Sequence, residues 1–243
     1  MVTTTIMNTR TGNPAIRMSE MAGELALFAW VSPSYPVGAF AYSHGVEAAV
    51  ERGDVSDGET LHDWLLDILK SGTGRNDAIL FVATWKACNE MPERLPEIAE
   101  LAVALATSQE RRLETLQQGS GFLAATRAAW PSDVLESHVG RIGANTAYCV
   151  VFAAAVAAHN LPLRPALDAY LSAFTSNLVS AAVRMSVIGQ TEGQKIVARL
   201  SPAIHDLADN LQDADIEDLG GYAFRADLAA LHHETQYSRL FRS

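Results

Sequence analysis

The spacing of apolar residues is helical along most of the chain, and this spacing restricts the possible fold more than any other feature. Apolar side chains between Leu61 and Leu69 recur at i, i+3, i+4, i+7 and i+8, which places them on one face of an amphipathic helix. The alternating β-branched runs between turn dipeptides that are typical of strands do not occur. The sequence therefore predicts an all-α fold, a single-domain bundle of about ten helices.

Capping residues and prolines mark where the predicted helices begin and end. Pro131 ends a helix that runs from Ser108 to Trp130, and an Ala- and Val-rich segment with few charges predicts one continuous central helix over residues 134–159. In a capping box, each of two side chains satisfies a backbone N–H of the first turn. Two pairs have that spacing: Ser56 with Glu59, and Thr191 with Gln194.

The composition allows a large core and restricts the partners. Apolar residues make up 49% of the 243 positions, enough for a sizeable core in one domain. The net charge of −10 disfavours nucleic acid or an anionic membrane as a partner. The chain has neither a charged-then-apolar leader nor an apolar run of about 18 residues, and its two cysteines, Cys88 and Cys149, lie far apart. We therefore expect a cytoplasmic protein without a disulfide.

We expect the chain to have three parts: a flexible N-terminal segment (1–18), an all-helical domain (19–235) and a C-terminal tail (236–243). The tail ends on an aromatic residue next to arginines, and these residue types are enriched in the centres of protein interfaces. The same composition is compatible with a frayed terminus. On composition alone, docking on a partner and fraying both stay open.

A loop with two prolines and two glycines, residues 32–47, is the most unusual local sequence. The prolines fix two φ angles and a glycine permits a conformation that other residues resist, so the loop has a defined shape. Ser43, His44 and Glu47 supply the residue types of a catalytic triad, but a triad is assembled across a fold, and the G-x-S-x-G elbow is missing. We interpret the loop as a structural brace or a contact surface.

Phosphate and metal sites have little support in the sequence. The P-loop spacing G-x-x-x-x-G-K-[ST] is absent. Glu59 and His62 form a single Glu-x-x-His, whereas a di-iron bundle needs that motif on two helices. His232 and His233 are adjacent and point about 100° apart on a helix, so we interpret them as surface residues. We predict no catalytic residue, metal ligand or cofactor; the alternative is a helical metal-binding protein or metalloenzyme that uses Glu59 and His62.

Three separated segments resemble the family of the urease accessory protein UreF. The first runs from Ser32 through Gly53 to Trp64, the second is residues 181–194 with its Gly-Gln turn, and the third is residues 233–243. They occur in the family's order and extend the resemblance from about residue 24 to the last residue. Ala39 departs from the family pattern, in which a second glycine is common, and this affects only the fine backbone geometry of the loop.

The resemblance implies an all-helical scaffold that is not itself an enzyme. It implies that the scaffold joins a second accessory protein, UreD (also called UreH), and the GTPase UreG on apo-urease. There it would act as a homodimer and support GTP-dependent nickel insertion and carbamylation of the active-site lysine. The missing P-loop fits a GTPase on a separate chain, and the missing metal site fits nickel that passes on to urease. A general regulator of an unrelated GTPase is a third class of function.

The resemblance also implies candidate partner-binding residues. For the loop, core bracing and direct contact with the GTPase stay open. Arg184 either complements a helix C-terminus or contacts a partner, and the Gly-Gln turn either caps a helix or faces a partner. The tail is implied to become ordered on UreD. The candidates are Tyr42, Ser43, His44, Glu47, Arg184, Gly189, Gln190, Tyr237, Arg239, Phe241 and Arg242.

Overall fold

A computed structural model describes residues 24–243, so the expected flexible segment 1–18 lies outside the described residues. Within residues 24–243 the chain forms helices joined by turns, with no strand, which confirms the all-α prediction. No helix in this part of the chain is long and apolar enough to cross a bilayer. The helices are α1 (24–30), α2 (Val46–Glu51), α3 (Gly58–Ser71), α4 (Thr73–Glu90), α5 (Leu95–Ala104), α6 (Gln109–Ala129), α7 (Asp133–Ile142), α8 (Tyr148–Ala158), α9 (Leu163–Arg184), α10 (Gln190–Asn210) and α11 (Phe224–His233).

Helix α8 is the centre of the bundle. Every residue from Cys149 to Ala158 is buried, and α4, α6 and α7 pack around the helix. Phe152 stacks on Phe122 of α6 with ring centroids 4.8 Å apart, and Trp30 of α1 lies edge-on to both rings. A helix that is apolar on all sides is stable only when other helices surround it, which is the case here.

The prediction of one continuous helix over residues 134–159 is wrong, because the chain forms two helices there. Helix α7 ends at Ile142, and Gly143 then adopts a φ of 80°, which a right-handed helix cannot accommodate. Helix α8 begins only at Tyr148. The apolar pattern hides the break because the residues before and after it are both apolar and buried.

The predicted capping box of Ser56 and Glu59 is also wrong. Helix α3 has Asp57 as its N-cap: the Asp57 carboxylate accepts the N–H of Thr60 at 2.9 Å, and the Thr60 hydroxyl accepts the N–H of Asp57 at 3.1 Å. Thr60 thus has the role in the capping box that was expected of Glu59. Glu59 instead points outward and pairs with Arg199 of α10.

The second predicted capping box, at Thr191, fails because α10 begins earlier. Gly189 is the N-cap of α10, so Thr191 lies inside that helix. Gly189 is therefore not a helix C-cap either, since α9 already ends at Arg184. The crossing of the two helices is close: a Cβ on Gly193 would lie 3.0 Å from the Val179 side chain. The packing of α10 on α9 thus determines where α10 begins, and the spacing of capping residues in the sequence does not reveal that position.

Helix α11 lies directly on α2, and this contact positions the end of the chain. Gly45, the N-cap of α2, has a φ of 80°, and a Cβ there would lie 2.9 Å from the backbone nitrogen of Ala230. Only glycine allows both the backbone angle and this approach. Beyond α11 the chain turns back, so residues 236–243 reach the loop before α2.

Candidate partner-binding site

The C-terminal tail packs on the chain's own N-terminal loop. The N–H of Arg242 donates to the carbonyl of Ala41 at 2.9 Å, and the N–H of Ser43 donates to the carbonyl of Ser243 at 2.9 Å. The Ser43 hydroxyl donates to the same carbonyl. Phe241 and Ser243 are buried by this contact. We call residues 40–47 and 236–243 together the junction.

Glu47 holds the backbone of the tail. One of its carboxylate oxygens accepts the N–H of Leu240 at 2.6 Å, and the other accepts the N–H of Phe241 at 2.9 Å. The N–H of Glu47 itself donates to the Ser43 hydroxyl at 3.2 Å. Hydrogen bonds to an ionised carboxylate are roughly twice as strong as those between neutral groups. The Glu47 carboxylate is therefore the main polar anchor of the tail.

His233 lies between two carboxylates. Its Nε2 is 3.0 Å from Glu47 and its Nδ1 is 2.6 Å from Glu110 of α6, and the side chain is fully buried. Arg239 of the tail pairs with the other oxygen of Glu110. Our interpretation of His233 as a surface residue is therefore wrong, because α11 turns this face towards α2 and α6. Its neighbour His232 is exposed.

Three ionisable side chains are buried at the junction, His44, Arg111 and Glu114, and Asp77 of α4 lies half-buried near them; we call these four residues the charge cluster. Arg111 pairs with Glu114, which also accepts the Ser243 hydroxyl at 2.6 Å. His44 Nδ1 lies 3.6 Å from Glu114 Oε1, and His44 Nε2 is 2.8 Å from the Thr73 hydroxyl. The cluster thus connects α4 and α6 to the tail.

Burial and charge shift the pKa values in this cluster in different directions. Burial, reinforced by the Arg111 charge, lowers the pKa of His44 to about 4. Burial raises the pKa of Asp77 to about 6, although Arg111 and the Tyr170 hydroxyl oppose the shift. Burial would also raise the pKa of Glu114, but Arg111 and His44 outweigh it and hold that pKa well below its ordinary value. At neutral pH, His44 is therefore neutral and both carboxyl groups are charged.

Two further residues, Gln117 and Arg184, contact the junction from outside it. The buried Tyr42 hydroxyl donates to the side chain of Gln117. The Arg184 guanidinium lies 4.4 Å from the centre of the Phe241 ring, a cation–π contact, and donates to the carbonyl of Phe40. Burial lowers the pKa of Arg184. Arg184 therefore contacts both the loop and the tail from the C-terminal end of α9.

The structure brings most of the candidate residues together, but not all of them. Tyr42, Ser43, His44, Glu47, Arg184, Arg239, Phe241 and Arg242 lie at the junction. Tyr237 also belongs to the junction, but its side chain is fully exposed. Gly189 and Gln190 are exposed at the start of α10, and the hydrogen bonds of the junction do not include them.

Sequence analysis missed Glu110, Arg111 and Glu114, the residues of α6 that hold the junction from below. Arg111 and Glu114 are buried, whereas Leu113 between them is exposed. Charged positions on a helix are normally solvated, so their spacing gives no sign of burial. The only signal is the weak amphipathicity of α6, whose apolar residues do not gather on one face.

A cleft of about 920 Å³ opens next to the junction. Helix α1, the loop, α6 and α9 form its walls, together with Tyr148 of α8. Tyr35, Phe40 and Phe174 line it, and so does Arg111 of the charge cluster. Burial raises the pKa of Tyr148 well above its ordinary value, so the phenol stays neutral. These side chains can bind apolar groups and position a peptide.

The alternative metal site at Glu59 and His62 has other partners. Arg199 donates two hydrogen bonds to Glu59, at 2.6 and 2.9 Å, and lowers the pKa of that carboxyl group. His62 lies 3.0 Å from the neighbouring Asp63. Among the described residues, no three His, Cys, Asp or Glu side chains are grouped so that they could hold a metal ion. The geometry gives this alternative no support.

Comparison with known proteins identifies the family. The UreF family model matches residues 55–201. A urease accessory protein UreF of Xanthobacter autotrophicus is 51% identical over 220 residues, which are 90% of this chain and 90% of the relative. Its counterpart from Azorhizobium caulinodans is 48% identical over 221 residues, 90% of this chain and 95% of the relative. The chain therefore belongs to the UreF family of urease accessory proteins.

Proposed function

We propose that the chain is a non-catalytic urease maturation factor of the cytoplasm. It joins UreD (UreH) and the GTPase UreG on apo-urease, and thereby supports GTP-dependent nickel insertion and carbamylation of the active-site lysine. Nickel is the cargo of this assembly and not a cofactor of the chain. Membership of the family of urease accessory proteins supports this role.

The junction is the observation that carries the proposal. The loop and the tail are 200 residues apart at Ser43 and Ser243, yet they form one continuous surface. Arg184, from a third segment of the chain, contacts both. Binding residues lie disproportionately on surface loops that a rigid scaffold positions, and the junction is a loop and a tail held by the helical body.

Within the junction we assign two different roles. Tyr42, Ser43 and Glu47 are buried and hold the surface in shape, so their contribution to binding is indirect. Phe40, Tyr237 and Leu240 are large apolar side chains that remain 65% or more exposed. Exposed aromatic and leucine side chains next to arginines are suited to contact UreD or UreG.

The proposed homodimer has a candidate surface on α1. Leu25 and Phe28 are 62% and 72% exposed, and both lie on one side of the helix. Sedimentation of the purified chain checks this: we expect a dimer that Phe28→Arg converts to a monomer, and an unchanged dimer would exclude this surface.

Deletion of residues 237–243 tests the partner-binding role. We expect the shortened chain to keep its helicity by circular dichroism and to lose co-purification with UreD, because the deletion removes the exposed side chains of the tail. The double variant Tyr237→Ala with Leu240→Ala tests direct contact with the partner separately from the packing of the tail on the body, because neither side chain is buried. Val134→Ala, an exposed apolar change on α7, is the matched control. Binding of the shortened chain at wild-type affinity would rule out the tail as the docking element.

A further inference from the structure

The Asp77 carboxylate is a charged group whose direct partners are neutral. The Tyr170 hydroxyl donates to it at 3.0 Å, and the Cys149 thiol is its other hydrogen-bonding neighbour. Burial raises the pKa values of Tyr170 and Cys149 well above their ordinary values, so neither group is charged at neutral pH. Arg111 is close enough to lower the pKa of Asp77, but its direct ion pair is with Glu114. In the part of the chain that the structure describes, Asp77 therefore has no ion-pair partner of its own.

Asp77 lies at the inner end of the cleft of about 920 Å³ that opens next to the junction. The exposed side chains of Phe28 and Phe40 lie at the mouth of the cleft, whereas Glu114 and Tyr170, which also line it, are buried. Asp77 itself is half-buried and belongs to the lining, so its carboxylate is accessible from the cleft. A ligand that enters past the two phenylalanines can therefore reach this carboxylate.

The charges that line the cleft favour a cation over an anion. They are the carboxylates of Glu24, Asp77 and Glu114 and the guanidinium of Arg111. Because Arg111 is paired with Glu114, the other two carboxylates remain to attract a positive charge. Burial raises the pKa of Asp77 to about 6, which shows that its negative charge is poorly compensated. A cation that pairs with this carboxylate supplies the missing compensation.

Aromatic rings line the cleft on the way to Asp77. Tyr35, Tyr148 and Phe174 belong to the lining, and the ring centroids of Tyr148 and Tyr170 lie 5.5 Å apart. A guanidinium is planar and more weakly hydrated than an ammonium group, so it stacks on aromatic faces and is less costly to remove from water. An arginine side chain therefore suits both the walls and the inner end of the cleft better than a lysine side chain does.

We propose that the cleft binds a peptide segment of another protein through one arginine side chain, whose guanidinium pairs with the Asp77 carboxylate. Apolar side chains on either side of this arginine pack on Tyr35 and Phe40. The volume of the cleft supports a segment and not a single side chain, since it lies near the upper end of the range of about 300–1,000 Å³ for ligand sites. The site goes beyond the assembly role and does not depend on it, because the purified chain alone can be tested for it.

Titration of the full-length chain with the capped tripeptide acetyl-Leu-Arg-Leu-amide tests the site, with NMR chemical shifts as the readout at neutral pH. We expect saturable shifts at cleft residues such as Phe174. The analogue with citrulline in place of arginine has the same shape but no charge. It should bind about tenfold to a hundredfold more weakly, because the charged hydrogen bond is lost. Equal binding of the two peptides, or no saturation by the arginine peptide up to about 10 mM, would overturn the proposal.

Two variants that remove one carboxylate each provide the matched control. Asp77→Asn keeps an acceptor for the Tyr170 hydroxyl, and it should bind the arginine peptide as weakly as the wild type binds the citrulline peptide. Asp213→Asn, at a fully exposed site, changes the net charge by the same amount and should behave as the wild type. An equal loss of binding in both variants would show a general effect of charge and overturn the site. Should Asp77→Asn fail to fold, the two peptides compared on the wild type still decide.

Two further measurements test other occupants of the cleft. Acetyl-arginine-amide should bind about tenfold more weakly than the tripeptide, because it lacks the apolar side chains that pack on the walls. Equal affinity would mean that the cleft takes a small cation and not a peptide segment. In sedimentation, the tripeptide should leave the oligomeric state of the chain unchanged. A dimer that the tripeptide dissociates would mean that a second copy of the chain occupies the cleft, contrary to the proposal.

Discussion

Two buried regions of this molecule are stable for opposite reasons. Helix α8 contributes apolar side chains such as Phe152, and their removal from water is itself the stabilising force. In the charge cluster at the junction, Arg111 and Glu114 are buried nearly as deeply and Asp77 is half-buried, but the burial of charge costs free energy that only ion pairs and hydrogen bonds offset. Helix α8 therefore makes the fold stable, whereas the charge cluster gives the molecule one particular surface.

The largest effect is expected in the core. Phe152→Ala should lower the free energy of unfolding by about 3–5 kcal/mol, because it leaves a cavity among rings that pack as closely as 4.8 Å from Phe152. Urea unfolding followed by circular dichroism measures this. The exposed Val134→Ala is the control and should change the free energy by less than about 0.5 kcal/mol. A loss below about 1 kcal/mol at Phe152 would show that α8 is not the main source of stability.

A smaller effect of opposite sign is expected in the charge cluster. Asp77 has an ordinary pKa of 3.8 and a folded pKa of about 6, so its ionisation in the folded state costs roughly 3 kcal/mol at neutral pH. The folded state binds the proton more tightly, and the corresponding stability is present below about pH 4 and lost as pH rises through about 6. Asp77→Asn stays neutral and keeps an acceptor for the Tyr170 hydroxyl, so it should be more stable than the wild type at pH 7.

The pH dependence makes this second prediction specific. The difference in unfolding free energy between Asp77→Asn and the wild type should be near zero at about pH 4 and grow until about pH 6.5. His44 has the opposite slope, since its lowered pKa removes stability as pH falls from 6.5 towards about 4, but it is common to both chains and cancels in the difference. A constant difference across this range would mean that Asp77 ionises as freely in the folded state as in the unfolded chain.

The apolar part of the fold could be predicted from the sequence, because its signal is local. The spacing between Leu61 and Leu69 predicts α3, and the predicted helix from Ser108 to Trp130 corresponds to α6, which has Ser108 as its N-cap. The break at Gly143 could not be predicted, since an apolar segment looks the same whether it is one helix or two. Helix starts that depend on tertiary packing, such as that of α10, were also missed.

The candidate site was predicted only in part, for a related reason. Sequence patterns and the family resemblance named the loop and the tail, but nothing in either segment indicates that Ser43 bonds to Ser243. The residues that support them from α6, such as Glu110, look like ordinary solvated positions. Whether a polar residue is buried depends on which distant segments of the chain meet, and local patterns in a single sequence do not carry that information.

The bond between Ser43 and Ser243 also says something about the order in which the molecule is made. Their carbonyl and hydroxyl groups meet across 200 residues of chain, and contacts that close so long a loop form late in folding. A ribosome releases the helices α2 to α11 before residues 236–243 emerge. The helical body can therefore be present before the junction exists. A partner that recognised the junction would thus bind only copies whose helical body has already folded.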